Sequence, residues 1–423
     1  MIIRFILIFS LFVMALEAKT FTYWQVHQMP KSVEKDYYIW RLLSQKNTTK
    51  QEARNIITEA TRLNKKLKTT YKAKTGLTAK LPKIKARVSK GAVDNSWRAR
   101  SRANKHFKHG LALLKQGKAK QASGYFDEAR RSYTKRYDID KSVFWLYMST
   151  KDKVYLNALR KSHHVNMYTL IAADTMNARY PKTITESLWK SKTDGFNIKD
   201  PIAWAKVKHQ MKSGCDLDDL ADEHKSQECI GVYTYLKAKA SRFTDHYFPM
   251  PYRDAMKDMP KERQALIYAI ARQESRFVPA SVSRSFALGM MQFMPFLIKH
   301  IAKEKGESMD LDQMFDPYKA IEYADYHLDY LTKYLHHPLF IAYAYNGGIG
   351  FTRRHIKSNK HFRKGPYEPY MSMESMKNIE AREYGKKVLA NYVIYMNKLG
   401  VKTRIFPLLK TLASPEKTDT FRK

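Results

Sequence analysis

Cysteine, glycine and proline are all scarce in this chain. Its 423 residues include 2 Cys, 16 Gly and 15 Pro. This shortage of residues that form turns disfavours a sheet of many short strands and favours helices. Metal sites need Cys, His or carboxylate ligands at suitable spacing, and no pair of His lies at that spacing beside acidic residues. The composition predicts a mainly α protein without a metal site, and we expect no cofactor.

Acidic residues are few as well, since 40 Asp and Glu face 77 Lys and Arg, which gives a net charge of +37. A basic excess of this size indicates a negatively charged partner, such as nucleic acid, an anionic membrane or an acidic polymer. Many of the cations lie in residues 65–90, within an interval free of acids between Glu59 and Asp94. This stretch is either a solvated helix face or linker, or a contact with the anionic partner.

The N-terminus has only a short apolar run. Residues 5–14 are mostly apolar, fewer than the roughly 20 that a transmembrane helix requires. Arg4 precedes the run, and Ala18 offers a small residue at a cleavage position. We predict a secretory signal peptide over residues 1–18 and export to the periplasm, with an uncleaved anchor as the alternative. Export argues against nucleic acid as the partner, and we expect no integral membrane anchor.

The two cysteines are Cys215 and Cys229. In an oxidising compartment a lone pair is a candidate disulfide. Closing a loop of this length would stabilise the fold by roughly 3 kcal/mol if chain entropy dominates. Two reduced, buried thiols are the alternative, and the preference for a disulfide depends on the predicted compartment rather than on the spacing.

The first half of the sequence is typical of successive helices. Thr49 and Glu52 fit a capping box, and residues 107–129 fit two amphipathic helices joined at Gly117. Later apolar groups continue the rhythm, and such units bury their apolar faces only by stacking on their neighbours. The sequence therefore predicts a helical superhelix, or solenoid, over residues 19–248.

Prolines interrupt this rhythm at Pro249 and Pro251. Two prolines so close together mark a plausible linker. We expect a second domain over residues 249–402 and a C-terminal tail over residues 403–423.

Glu274 occupies an unusual position on the first predicted helix of the second domain. It follows Ala271 by three residues, Ile270 by four and Ile267 by seven, so it falls on the apolar stripe of the helix. Burial there would raise the pKa of its carboxyl, as a general acid requires. Spacing alone leaves a second interpretation open, in which Glu274 reaches solvent at the end of the helix.

Four segments downstream of residue 254 form an ordered pattern. They are Arg-Gln-Glu-Ser at 272–275, Ala-Leu-Gly-Met-Met-Gln-Phe-Met-Pro at 287–295, Ala-Tyr-Asn-Gly-Gly at 344–348, and a closing region with Glu374, Glu380 and Tyr384. Together they resemble the Slt-type soluble lytic transglycosylase family over about residues 254–400. The resemblance implies a lysozyme-like, α-rich catalytic domain behind the superhelix.

The resemblance also implies roles for individual residues. Glu274 is expected to be the catalytic acid/base, which cleaves the bond between N-acetylmuramic acid and N-acetylglucosamine in peptidoglycan without water and leaves a 1,6-anhydro ring. The substrate-binding positions expected around it are Ser275, Met291, Gln292, Tyr345, Asn346 and Glu380. Peptidoglycan glycan strands would be the partner of the basic superhelix.

Two alternatives and one departure from the family pattern accompany this hypothesis. Glu380 or Asp325 could position a water, which would make the protein a hydrolytic muramidase on the same fold. A basic wall-binding scaffold without catalysis is the other alternative. Phe286 and Leu288 stand where the family usually has Gly and a small or polar residue, so we expect the groove beside the site to be reshaped.

Overall fold

The computed structural model describes residues 19–82, 95–358 and 360–422. The predicted signal peptide therefore lies outside the described residues, as do residues 83–90 at the end of the basic stretch. Within the described ranges the regular structure is helical, and the extended segments pair only as isolated bridges. No helix in this part of the chain is long and apolar enough to cross a membrane. The prediction of a mainly α protein is confirmed.

The helices described before residue 249 follow one another along the chain, with a long connection between Thr175 and Pro201, and include a 3-10 helix at Ile57–Glu59. Their bounds are α1 Tyr23–His27, α2 Val33–Ser44, α3 Lys50–Ile56, α4 Lys65–Thr75, α5 Asn95–Lys115, α6 Ala119–Ser132, α7 Arg136–Thr150, α8 Val154–Arg160, α9 Met167–Thr175, α10 Pro201–Gln210, α11 Leu217–Asp222 and α12 Ile230–Ala240.

Local sequence determines two features of this half. The capping box of Thr49 and Glu52 starts α3 as predicted. Gly117 adopts a positive φ of 74° between α5 and α6, which form the predicted hairpin. The hairpin is tight because α5 carries Gly110 where α6 presents Phe126. A Cβ at Gly110 would come within 2.7 Å of the ring of Phe126, so this packing requires glycine.

The helices described after residue 249 are accompanied by 3-10 helices at Asp254–Met256 and Leu311–Phe315. Their bounds are α13 Lys261–Glu274, α14 Pro295–Glu304, α15 Pro317–Thr332, α16 Pro338–Gly347, α17 Ile349–Ile356, α18 Tyr370–Glu374, α19 Ile379–Lys398, α20 Ile405–Thr411 and α21 Pro415–Thr418.

α19 is the central helix of this second half and packs against α13 and α16. Every residue from Ala265 to Ala271 of α13 is buried, so the approach to Glu274 is apolar. Gly385 lets α19 lie close to α16, since a Cβ there would come within 2.2 Å of the ring of Tyr343. These contacts fix the end of α13 relative to the start of α19.

A buried ionic cluster also holds α19 in place. The ammonium of Lys386, fully buried, lies 2.7 Å from Oε1 of Glu374 and 3.0 Å from Oε2 of Glu383. It also donates a hydrogen bond of 3.1 Å to the hydroxyl of Tyr168 on α9. Neighbouring cations lower the pKa of Glu383 despite its burial. The cluster joins α9, α18 and α19 through charges that satisfy one another.

The two halves share one apolar core, and α2 supplies part of it. The ring of Phe286 stacks on Trp40 at 5.7 Å and meets Tyr37 edge-on at 5.9 Å. Phe286 is 1% exposed and Leu288 is fully buried. The expectation that these two residues reshape the groove is therefore wrong. Phe286 has a positive φ of 63°, which turns its side chain into the interface with α2 and away from the groove.

An ion-pair cluster lies beside this aromatic contact. The guanidinium of Arg41 on α2 approaches Asp310 at 2.6 Å and Asp312 at 2.8 Å. The hydroxyl of Tyr37 donates a hydrogen bond of 2.7 Å to Asp312. Each bond crosses from the first half of the chain to the second, so polar and apolar contacts fix α2 in one position.

Residues 404–422, which we call the C-terminal brace, are folded where the sequence suggested a tail. Arg404 forms an ion pair of 2.8 Å with Asp174 of α9, and the amide of Ile405 donates a hydrogen bond of 2.9 Å to the hydroxyl of Tyr180. Further on, the amide of Thr420 donates to the carbonyl of Tyr334 at 3.0 Å. The brace therefore joins the superhelical half to the end of α15.

The predicted disulfide is absent, because Cys215 and Cys229 are both free thiols. Cys229 is buried at the start of α12, and burial raises the pKa of its thiol. Cys215 lies on an exposed turn and donates a hydrogen bond of 3.0 Å to the carbonyl of Gln210. One sulfur faces the core and the other faces the solvent. Both thiols are reduced, as in the alternative, but only Cys229 is buried as that alternative expected.

Candidate active site

A groove of about 990 Å³ opens on the second half of the chain. Its walls are the end of α13, the loop that leads into α14, the last turns of α15, the end of α16 and the start of α19. The lining mixes apolar and polar side chains. A groove of this size and composition fits a ligand with both apolar faces and hydroxyl groups.

Glu274 lies in this groove as the last residue of α13. Its side chain is half-buried, open on the groove side and surrounded by protein elsewhere. This burial raises the pKa of the carboxyl to about 8, and the charge of Glu380 contributes in the same direction. A hydrogen bond from Tyr384 opposes the shift. Glu274 is therefore largely protonated at neutral pH, as a general acid must be.

Tyr384 is the hydrogen-bond partner of Glu274, a role that the sequence analysis did not assign to it. Its hydroxyl donates a hydrogen bond of 2.8 Å to Oε1 of Glu274. Tyr384 follows Glu380 by four residues on α19, and residues so spaced share one face of a helix. That spacing could have indicated that both residues face the same carboxyl.

Tyr345 and Asn346, at the end of α16, line the groove as expected from the sequence. The hydroxyl of Tyr345 donates a hydrogen bond of 2.9 Å to the carbonyl of Met291. Burial and the charge of Glu274 raise the pKa of that hydroxyl, so it stays protonated. The half-exposed amide of Asn346 has no side-chain hydrogen bond to any described residue, which leaves it free to bind a ligand.

Glu380 also lines the groove, from the first turn of α19. Its side chain is exposed and makes no ion pair with the described residues. The structure therefore brings Glu274, Tyr345, Asn346 and Glu380 together.

Ser275 and Met291 do not reach the groove with their side chains. Met291 is completely buried, so its thioether cannot contact a ligand, and only its carbonyl supports the site through Tyr345. The hydroxyl of Ser275 donates a hydrogen bond of 2.8 Å to the carbonyl of Met290. Neither side chain lines the groove; both residues instead hold the loop after α13 against the site.

Gln292 lines the groove, yet its amide is engaged with the backbone. Its Nε2 donates hydrogen bonds of 2.8 Å to the carbonyl of Gly289 and 3.1 Å to that of Ser281. Gly289 itself has a φ of 77°, and a Cβ there would come within 2.0 Å of the carbonyl oxygen of Met314. The Gly-Met-Met-Gln segment is thus a tight turn whose shape depends on glycine.

Two aromatic residues of the groove were missed at the level of the sequence. Phe296 on α14 is 68% exposed and Tyr330 on α15 is 43% exposed, and both line the groove. An exposed ring offers a flat apolar face against which the C–H face of a sugar can pack. Phe296 lies off the apolar stripe of α14 formed by Ile298 and Ile301, which is the signal that could have indicated an exposed position.

The other carboxylate considered from the sequence, Asp325, is engaged elsewhere. It is paired with the guanidinium of Arg263, which also binds Asp329 at 2.7 Å. Asp325 does not line the groove. Among the residues that the structure describes, no group of three or more His, Cys, Asp or Glu is arranged to hold a metal ion.

Comparisons with known proteins agree with this geometry. Residues 251–367 match the transglycosylase SLT domain family. The soluble lytic murein transglycosylase of Escherichia coli is 31% identical over 173 residues, which cover 38% of this chain and 26% of that protein. The protein of the same name from Salmonella typhimurium is 29% identical over 172 residues, with the same shares. The match thus spans about a quarter of the length of these relatives.

One solved structure resembles the fold over most of the chain. It is the X-ray structure of an inactive mutant of lytic transglycosylase Slt from Pseudomonas aeruginosa, with a TM-score of 0.50, 17% identity, and coverage of 88% of this chain and 60% of that one. The predicted architecture, a helical superhelix followed by a lysozyme-like domain, is confirmed.

With the exception of Glu380, every residue that lines the groove lies within residues 251–367, the part of the chain that matches the transglycosylase SLT domain family.

Proposed function

We propose that this protein is a periplasmic lytic transglycosylase that cleaves the bond between N-acetylmuramic acid and N-acetylglucosamine in peptidoglycan. The observation that carries the proposal is Glu274, whose carboxyl has a pKa raised to about 8 in an open groove. A glycosidase that hydrolyses its substrate usually needs two carboxylates. The only other carboxylate lining the groove among the described residues is the exposed Glu380.

In the first step Glu274 acts as the acid. Because Oε1 accepts the hydrogen bond of Tyr384, Oε2 carries the proton and presents it to the groove. Transfer of this proton to the glycosidic oxygen breaks the bond to C1 of the muramic acid. The acetamido group of the substrate would stabilise the positive charge that develops at C1, a role for which the protein then needs no second carboxylate.

In the second step Glu274 acts as the base. Its carboxylate, now ionised and stabilised by the hydroxyl of Tyr384, takes the proton of the C6 hydroxyl. The C6 oxygen closes onto C1 and forms the 1,6-anhydro ring. The proton lost in the first step is regained and no water is consumed, so one residue completes the cycle. Such a group works best when its pKa lies near the ambient pH.

The net charge of +37 supports the same substrate. The peptide stems of peptidoglycan carry carboxylates, so a basic protein attracts this polymer electrostatically. Binding to sacculi that falls steeply with added salt would support this part of the proposal, since screening weakens contacts between exposed charges. Binding that is independent of salt would contradict it.

Purified sacculi provide the decisive test. The wild-type protein is expected to release anhydro-muropeptides, and Glu274→Gln is expected to release none. Glu262→Gln, at the exposed start of the same helix, is the matched control and should retain activity. Products with reducing ends would show hydrolysis and overturn the transglycosylase mechanism. Normal release by Glu274→Gln would overturn the role of that residue.

A further inference from the structure

A second cavity, which we call the rear cavity, lies beside the last turn of α13 and has a volume of about 220 Å³. Arg272, Gln273 and Arg276 form one wall, and Lys387 with Asn391 of α19 forms another. The superhelical half closes it with residues that include His164 and His246. None of its lining residues also lines the groove. The rear cavity is therefore a separate site at the junction of the two halves.

The charges around the rear cavity are unbalanced. Arg272, Arg276 and Lys387 are cations, and the only carboxylate in the lining is Asp245, which is exposed and forms no ion pair with the described residues. Burial lowers the pKa of His164 to about 3 and of His246 to about 4, so both imidazoles are neutral at pH 7. Among the side chains that line the cavity, three positive charges against one negative charge leave an excess of two, and the carboxylates of Glu383 and Asp138, outside the lining, also act on Lys387.

Protein groups satisfy only one of the three cations. Arg272 donates hydrogen bonds of 2.9 Å to the carbonyl of Tyr247 and to Oδ1 of Asn391. Arg276 and Lys387 donate no hydrogen bond to any described residue, and each instead lies over an aromatic ring. The guanidinium of Arg276 is 4.7 Å from the centre of the Phe243 ring, and the ammonium of Lys387 is 5.3 Å from the centre of the Tyr137 ring.

Electrostatics favours a counterion in such a place. Arg276 and Lys387 are both partly buried; a charge held partly out of water without an ionic partner is unfavourable, and burial lowers the pKa of both side chains. The planar guanidinium of an arginine presents paired donors that match the oxygens of a carboxylate or a phosphate. The volume of the rear cavity corresponds to roughly seven water molecules at about 30 Å³ each, enough for a small oxyanion with part of its hydration.

We propose that the rear cavity binds a small oxyanion, a phosphate or a dicarboxylate, through Arg276 and Lys387. A dianion matches the excess of two positive charges in the lining. Arg272 and Arg276 lie two residues on either side of Glu274 in the chain, so the bound anion stabilises the last turn of α13. This site is independent of the chemistry in the groove.

Titration of the full chain with inorganic phosphate, and separately with sodium succinate, tests the proposal against sodium chloride at equal ionic strength. Calorimetry should show saturable binding of at least one of the two oxyanions, and the thermal midpoint should rise with its concentration. Whichever anion binds more tightly identifies the source of the oxyanion. Chloride should produce neither effect.

Variants assign the binding to the rear cavity. Arg276→Gln should weaken it by about tenfold or more, since a charge-assisted hydrogen bond is removed, and Lys387→Gln should weaken it as well. Arg54→Gln, at an exposed and unpaired arginine of α3, is the matched control and should bind as the wild type does. Glu274→Gln should also bind normally, which separates this site from the groove.

A spectroscopic readout covers the case in which Arg276→Gln fails to fold. The ring protons of His164 and His246 should shift when phosphate or succinate binds to the wild type, because both rings line the rear cavity. Absence of saturable binding beyond the effect of chloride would overturn the proposal. So would binding that is unchanged in both Arg276→Gln and Lys387→Gln.

Discussion

The hydroxyl of Tyr384 donates a hydrogen bond of 2.8 Å to Oε1 of Glu274, and this contact links α19 to the end of α13. Glu380 lies one turn earlier on the same face of α19. One helix thus carries both a group that lowers the pKa of Glu274 and a group that raises it. The acidity of the site depends on the position of α19, which the buried cluster around Lys386 maintains.

Glu274→Gln should abolish activity and stabilise the fold above pH 5. The folded pKa, about 8, exceeds the ordinary 4.5. Both states are therefore protonated below pH 4.5, and ionisation of the unfolded chain destabilises the fold progressively between pH 4.5 and 8. The full shift corresponds to about 5 kcal/mol, and because the side chain is half-exposed we expect about 1–3 kcal/mol.

Urea unfolding of wild type and Glu274→Gln at pH 4.5 and pH 8 measures this effect. The difference in unfolding free energy should appear at pH 8 and be small at pH 4.5. Glu262→Gln should show no such pH dependence. Equal stability of wild type and Glu274→Gln at pH 8 would mean that the carboxyl is not desolvated in solution.

Glu380→Gln and Tyr384→Phe should move the alkaline limb of the pH–rate profile in opposite directions. Activity needs Glu274 protonated at the start, so kcat/KM should fall as the pH rises through its pKa near 8. Removing the charge of Glu380 lowers that pKa and moves the limb to lower pH. Removing the hydrogen bond of Tyr384 raises it and moves the limb to higher pH. Shifts in the same direction would contradict the electrostatic assignment.

Phe286→Ala and Phe296→Ala should separate stability from substrate binding. Phe286 is buried against Trp40, and loss of such a ring destabilises a fold by about 3–5 kcal/mol. Phe296 is exposed in the groove, so its removal should raise KM and leave the unfolding free energy within about 0.5 kcal/mol. Thermal unfolding and activity on sacculi, measured for both variants, check this. A destabilised Phe296→Ala with normal KM would refute the assignment.

Lys386→Met should destabilise the protein by about 3–5 kcal/mol, because it removes the buried ammonium that pairs with both Glu374 and Glu383 and leaves Arg382 as the remaining cation for two buried carboxylates. Lys377→Met, at an exposed and unpaired lysine just before α19, is the control and should unfold like the wild type. Chemical denaturation measures both. If the two variants are equally stable, the cluster contributes nothing to the position of α19.

Local sequence patterns predicted those features that depend on nearby residues. The capping box at Thr49, the hairpin at Gly117 and the apolar face that leads to Glu274 all follow from spacing along one helix. The groove residues Tyr345 and Asn346 followed from the resemblance to the Slt family, since they lie on a different helix from Glu274 and only the fold brings them into the same groove.

Features that depend on which elements meet could not be predicted in this way. The orientation of Phe286 depends on its positive φ and on the presence of Trp40 nearly 250 residues earlier in the sequence. Met291 lies in the motif but faces the core. The separation of Cys215 from Cys229 depends on how α11 and α12 pack, which buries Cys229 and leaves Cys215 exposed on the turn before α11. None of these is contained in the local pattern of apolar and polar residues.

The C-terminal brace has a consequence for the order in which the molecule folds. Its ion pair between Arg404 and Asp174 closes a loop of more than two hundred residues, as does the pair between Arg41 and Asp310. Contacts between such distant parts of a chain slow folding, because the chain loses the entropy of loop closure before the contact contributes any favourable free energy. The superhelical half can form its hairpins early, but α9 gains its last partners only after residues 404–422 have been synthesised. This contact between the two halves is therefore completed late.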